Sequence, residues 1–206
     1  MKSPQEIIDF VHDNIDGRMC DEYNNVHYLA NFIFNADGGN YLEIGSLFGG
    51  TAIVASLVMQ DLELEGEVYA IDPFDGYYIG TKNERSTLVG AQVDPHTRKA
   101  VTLERAQANA EKMGAKVNFI KGKSSLQTVP DVRFSVVYID GDHWNDAPWK
   151  DWLLVKDKCD KFIIFDNCDT GHPAVESAVR NAWEDGEWTL LYKSGVTAVL
   201  GRIGNV

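Results

Sequence analysis

The stretch Tyr41-Leu42-Glu43-Ile44-Gly45-Ser46-Leu47-Phe48-Gly49-Gly50-Thr51 decides how the rest of the chain is read. An apolar run breaks into a glycine-rich turn and resumes as an apolar helix over 52–59, the order of strand, loop and helix that opens a nucleotide-type site. Gly45 and Gly49 lack a Cβ, so the backbone there can turn sharply and admit a ligand at close range. The helix that follows offers free N–H groups at its start. The spacing excludes two common phosphate loops. G-x-G-x-x-G would need a glycine at Leu47, and G-x-x-x-x-G-K-[S/T] would need a lysine that is missing. What remains is E-x-G-x-x-x-G, with Glu43 ahead of the turn.

Outward from this loop, strand and helix patterns alternate. Residues 68–71 read as a second buried strand ending at Asp72, and 117–120 as a third, followed by Gly122-Lys123-Ser124-Ser125. A fourth, 134–139, runs into Asp140-Gly141-Asp142-His143, and a fifth, 161–165, ends at Asp166-Asn167. Helical spacing covers 97–113 up to Gly114, the segment carrying Trp149, Trp152, Leu153 and Leu154, and 173–184. Residues 188–192 and 196–201, around Lys193-Ser194-Gly195, close the chain as a hairpin. The fold class is α/β: a Rossmann-like, doubly wound, mostly parallel seven-stranded sheet with a C-terminal antiparallel hairpin. Ligands of such sheets sit at the carboxyl ends of the strands, where strand order reverses.

Ahead of the loop, Ser3-Pro4-Gln5-Glu6 starts a helix that runs toward Gly17, and a second covers 22–35. The expected organisation is one domain over 1–206, with 1–39 a helical cap segment and 40–206 the core. The cap either covers the site or packs on the sheet edge. Residues 73–95 read as an irregular polar region, a lid or a disordered loop.

Composition narrows the partners. Thirty-one acidic against 19 basic residues leave a formal net charge of −12, which repels nucleic acid backbones and anionic membranes. Cys20, Cys159 and Cys168 form an odd set without framework spacing, expected as reduced thiols, and of these Cys168 is the one to watch. The N-terminus has no apolar signal core, and no run approaches the ~18 apolar residues of a membrane span. The expectation is a soluble cytoplasmic protein with a small-molecule partner. Assembly as a homodimer stays open.

Two acidic constellations carry the chemistry. A carboxylate at Glu43 would repel a pyrophosphate but suits a ligand with a cationic amino-acid moiety and hydroxyls, which points toward S-adenosylmethionine. Glu43 either binds that amino group or accepts N–H bonds from the loop. Asp72 closes the second strand, where it can accept from both ribose hydroxyls or cap a turn. Asp140, Asp166 and Asn167, at the ends of neighbouring strands, are hard oxygen donors that suit Mg²⁺ or another divalent ion. Separately they would cap helices. Such an ion would lower the pKa of a substrate hydroxyl and position it. His143 is a candidate base for its proton, with Asp142 the rival. His96 and His172 are structural or substrate-facing, and Phe74, Tyr77, Tyr78 and Trp144 either line an acceptor pocket or pack as a lid.

From about Tyr41 onward the chain resembles the class I S-adenosylmethionine-dependent methyltransferases. Glu43-Ile44-Gly45 through Gly49 is similar to the motif that holds the methionine part of the cofactor, Asp72 to the ribose-binding acid, and Ser124 and Ser125 to residues near the adenine. The cofactor set implied is Glu43, Gly45, Ser46, Gly49, Thr51, Asp72, Pro73, Ser124, Ser125 and Asp140. Asp140 with Asp166-Asn167 resembles the metal ligands of catechol and caffeoyl-CoA-like O-methyltransferases. Tyr138-Ile139-Asp140-Gly141-Asp142-His143 is closer to the metal-dependent sugar O-methyltransferases of macrolide and aminocoumarin biosynthesis. His143 stands where the catechol enzymes carry a lysine, and Asp166-Asn167 where sugar enzymes often show Asp-Asp, so the acceptor, sugar or catechol-like phenol, stays open. The resemblance implies an O-methyltransferase using S-adenosylmethionine and a divalent ion. The alternatives are a metal-independent methyltransferase and a non-catalytic nucleoside-binding protein.

Overall fold

The computed structural model describes residues 2–19, 23–80, 86–90, 94, 96–169 and 171–205, without the side chains of 23–25, 76–80 and 86–90. Helix α1 (Pro4–Asn14) begins with the capping box read from the sequence: Glu6 N–H donates to Ser3 Oγ, and Ser3 N–H donates to the Glu6 carboxylate. It ends at Asn14, short of Gly17. Helix α2 (Tyr23–Ala36) follows, then β1 (Asn40–Ile44), α3 (Gly50–Asp61) and β2 (Val68–Asp72). The small strands β3 (Gly76–Gly80) and β4 (Ser86–Gly90) precede α4 (Leu103–Met113), β5 (Asn118–Lys121), β6 (Phe134–Ile139), α5 (Ala147–Val155) and β7 (Cys159–Phe165). Helix α6 (Pro173–Glu184) and the hairpin β8 (Trp188–Ser194) and β9 (Thr197–Arg202) complete the order.

Seven strands form one sheet in the order β5-β2-β1-β6-β7-β9-β8, in which β9 is antiparallel to both of its neighbours. Because successive side chains of a strand point to opposite faces, each strand divides its apolar residues between two cores. Tyr41, Val136, Tyr138 and Ile164 pack with α1, α2 and α3, whereas Leu42, Val137, Ile163 and Phe165 pack with α5 and α6. Helix α3 packs on β2 and is flanked by α1, α2 and α4, with α2 itself reaching β6 and β7, which explains why an almost uniformly apolar sequence is buried nearly all round. No helix among the described residues is long and apolar enough to cross a membrane.

Two expectations change. The region 73–95 is not uniformly irregular, since β3 and β4 pair antiparallel in a separate two-stranded sheet with Tyr78 opposite Leu88. Aromatic and β-branched residues in both segments favour extended backbone. Residues 81–85, 91–93 and 95, which the lid reading also covered, lie outside the described residues. The long helix expected from 97 begins only at Leu103. Thr97 N–H and Oγ–H both donate to Asp94 Oδ2 at 2.8 Å, a local turn that competes with helix, and Thr102 then supplies the cap by accepting from Arg105 N–H.

Candidate active site

Strands β1 and β6 are neighbours whose chain connections leave in opposite directions, so strand order reverses between them. A cavity of about 780 Å³ opens there, at the carboxyl ends of the strands, within the roughly 300–1,000 Å³ typical of small-molecule sites. The glycine loop forms its floor. Gly45 N–H donates to Ile71 O of β2 (2.9 Å), and Asp140 N–H donates to Ile44 O (2.8 Å), which ties the loop to both adjacent strands. To the sharp turn read from the sequence the structure adds a packing reason for glycine. Gly45 has φ 91°, and a Cβ there would stand 2.0 Å from the Asp140 carbonyl oxygen. Gly49, at φ 85° and the N-cap of α3, would meet the Phe119 ring at 2.9 Å and does not line the cavity. Protein packing and a left-handed backbone demand glycine at both positions whatever the cavity holds.

Asp72 at the end of β2 is buried, and its carboxylate is already engaged. Oδ2 accepts from Ser46 N–H (2.9 Å) and Leu47 N–H (2.8 Å), and Oδ1 accepts from Phe74 N–H (2.7 Å). Burial raises its pKa and those three amides oppose the rise. The loop amides therefore go to Asp72, not to Glu43. Glu43 Oε2 accepts from Tyr41 Oη–H at 3.0 Å, on the same face of β1. Burial, and then the charge of Asp140, drives the Glu43 pKa well up, so a cation in the cavity would be the natural complement. Ser46, Thr51 and Pro73 line the cavity beside it.

Across the switch point, Asp140 and Asp166 stand at the ends of the paired strands β6 and β7, close enough for each carboxyl to shift the other. Burial pushes Asp140 up to about 7 and, reinforced by the Asp140 charge, Asp166 up to about 8. Asn167 follows in the left-handed region (φ 55°), which asparagine tolerates, and lines the same cavity. Among the described residues no three His, Cys, Asp or Glu side chains are grouped to hold a metal, so a three-donor set here must include the Asn167 amide. The donor chemistry fits a hard divalent ion, because two desolvated carboxyls forced together lose their mutual repulsion when one is bound.

His143 Nε2 lies 3.1 Å from Asp140 Oδ1, and burial lowers the pKa of its imidazole. Its ring meets His172 edge-on at 5.2 Å, and His172 Nδ1 lies 3.1 Å from Asp169 Oδ1. Asp142, the rival base, accepts from Trp144 N–H at 3.1 Å. Both Asp142 and His143 line the cavity, as does Trp144. Other expected residues stand apart. His96 is exposed, Ser125 Oγ bonds Thr128 Oγ1 away from the lining, and Phe74 is core, edge-on to Phe119. The Tyr77 and Tyr78 side chains, Cys20 and Thr170 lie outside the described residues. Cys168 is buried, and burial raises its thiol pKa, which disfavours the reactive thiolate.

Arg18 and Asp151 are among the lining residues that escaped the sequence reading. Arg18, in the connector between α1 and α2, had no motif to mark it. Asp151 of α5 had one weak signal, an acid between Trp149 and Trp152 on an apolar helix. Ser124 Oγ–H donates to Asp151 Oδ1, and burial raises this carboxyl to about 6. A folded-state pKa above the unfolded value of 3.8 means that stability falls as pH rises from about 4 to 6 and is level above that. At neutral pH the penalty is about 3 kcal/mol. Asp151→Asn is therefore expected to gain on the wild type by about this amount between pH 4 and pH 7 in denaturant unfolding. A stability difference independent of pH would refute it.

No curated protein sequence matches the chain. Its fold is shared with solved methyltransferases at low identity. The O-methyltransferase NovP is 19% identical, with a TM-score of 0.66 over 87% of this chain and 78% of NovP. The calicheamicin methyltransferase CalS11 is 15% identical, with a TM-score of 0.64 over 98% of this chain and 91% of its own. The O-methyltransferase TomG from Streptomyces achromogenes, involved in tomaymycin synthesis and solved with S-adenosylmethionine, is 14% identical, with a TM-score of 0.57 over 99% and 91%. A family model of a methyltransferase domain matches residues 42–168, more than half of the chain, from the first strand through the glycine loop to both acids of the second cluster; the chain belongs to this methyltransferase family.

Proposed function

We propose that this protein is an S-adenosylmethionine-dependent O-methyltransferase that acts on a hydroxyl of a small sugar or catechol-like acceptor, with a divalent ion held by Asp140, Asp166 and Asn167. The observation that carries this reading is the pair of carboxyls at neighbouring strand ends, Asp140 partly buried and Asp166 buried, opening into the same cavity as Glu43 and the glycine loop. Bound there, the donor supplies a sulfonium methyl and the ion supplies Lewis acidity toward the acceptor hydroxyl. The chain's own part is positioning and proton transfer. Glu43 offers a buried carboxylate to the ammonium of the donor, while the loop holds its shape through Asp72. His143 receives the hydroxyl proton. Burial keeps its imidazole neutral, and with Nε2 donating to Asp140, Nδ1 is the basic nitrogen. The nearby carboxylates of Asp166 and Asp142 then stabilise the imidazolium.

The His143–Asp140 contact also supports a second version in which Asp140 orients the base and no ion takes part. Calorimetry with S-adenosylhomocysteine, with and without Mg²⁺, tests the whole reading. We expect one-to-one binding of the nucleoside, and a heat of Mg²⁺ binding that disappears in Asp166→Asn. Absence of nucleoside binding would sink the cofactor assignment, and turnover indifferent to a chelator would leave the version without metal.

A further inference from the structure

The connector between α1 and α2 is fastened directly onto the glycine loop. Gly17 sits so close to Phe48 that a Cβ would fall 2.3 Å from its ring, and Met19 Cγ lies 2.8 Å from where a Cβ on Gly50 would be. Asn109 of α4 joins the two, accepting from Asp16 N–H (2.8 Å) and donating to Phe48 O (3.0 Å). Asp16 pairs in addition with Lys99 (2.5 Å) and Arg105. Arg18 is thus held between two residues packed against the loop, and it lines the cavity with Glu43 and Thr51.

Its guanidinium is aimed by one bond. Nε–H donates to Asp94 Oδ1 at 2.9 Å, and the Asp94 side chain, 1% exposed, is itself fixed by Thr97 through the other oxygen. Anchoring through Nε leaves the two terminal nitrogens for a further partner, the geometry that matches a carboxylate with two parallel bonds. Lys150, another cation of the lining, is paired with Asp146 at 2.9 Å. Met19, the next residue, packs on Gly50 at the start of α3, which brings Arg18 to the α3 end of the cavity. The first turn of α3, with no side-chain cap, starts at the same end with Gly50 and Thr51 in the lining.

The cavity lining therefore presents a buried acid, Glu43, and a pre-aimed cation, Arg18, the two complements of a zwitterion. We infer that Arg18 grips the α-carboxylate of the amino-acid end of the donor. This inference rests on the cofactor reading above. A carboxylate entering a cavity otherwise rich in acids requires such a cation.

The test is calorimetry with S-adenosylhomocysteine and its decarboxylated analogue, which keeps the amine and the nucleoside. Wild-type protein should bind the analogue about tenfold to a hundredfold more weakly, the range for a charged hydrogen-bonded contact. Arg18→Gln should bind both ligands alike, at the wild-type affinity for the analogue, and Arg18→Lys should fall between, since a point charge makes no fork. A damaged fold would weaken both ligands together, and that result overturns the inference. So does wild-type discrimination in Arg18→Gln, which would mean the carboxylate is held elsewhere. If wild-type protein binds neither ligand, the cofactor reading itself falls and takes this inference with it.

Discussion

Replacing Asp140 by asparagine is expected to make the ligand-free protein more stable while slowing methyl transfer by about two to four orders of magnitude. The two effects have one cause. Asp140, partly buried, and Asp166, buried, are neighbouring carboxyls, and desolvation raises the proton affinity of both. An amide at position 140 can still donate to Asp166 while removing one of two like charges, a gain of about 1–2 kcal/mol typical of relaxing a functional site. The same change removes the oxygen that faces His143 Nε2 and one of the two carboxylates proposed to hold the ion. Chemical denaturation and single-turnover methyl transfer on the same preparation would check both signs. Retained turnover would dismiss Asp140 from the reaction, and loss of both stability and turnover would mark it as a structural cap.

Gly45→Ala is expected to cost at least about 4 kcal/mol of stability, enough to leave much of the protein unfolded near 37 °C. A methyl group would sit 2.0 Å from the Asp140 carbonyl oxygen, on backbone at φ 91° that L residues rarely adopt. Neither side can give way, because Gly45 N–H is bonded to Ile71 O and Asp140 N–H to Ile44 O. Gly114→Ala is the matched control. It also has positive φ, 69°, but meets nothing within 4 Å, so it should show only the backbone strain, about 1 kcal/mol. Equal melting temperatures for the two variants would contradict the packing argument.

The architecture was legible where periodicity and burial agree. Strands covered on both faces carry continuous apolar runs, and the acids and glycines at their ends are visible as interruptions, which is why Glu43, Asp72, Asp140 and Asp166 could be placed at one rim. Local hydrogen bonding was less legible. Asp94 diverts residues 97–102 from helix through a single carboxylate, and nothing in helical spacing announces it. The loop contacts of Asp72 could not be read either: its bond from Phe74 N–H is the turn cap the sequence allowed, but two further partners are amides 25 and 26 residues away whose direction depends on the turn at Gly45. Arg18 was hidden for a similar reason. It lies outside the sheet pattern, and only the packing of Gly17 on Phe48 and Met19 on Gly50 brings it to the cavity.

The three amide bonds to Asp72 have a kinetic consequence. They hold the turn in shape while the cavity is empty, so its ordering entropy is charged to folding and not to ligand capture. A nucleoside arriving at this floor meets a finished surface. Its association rate is then set by diffusion, and selection among ligands falls to how long each one stays.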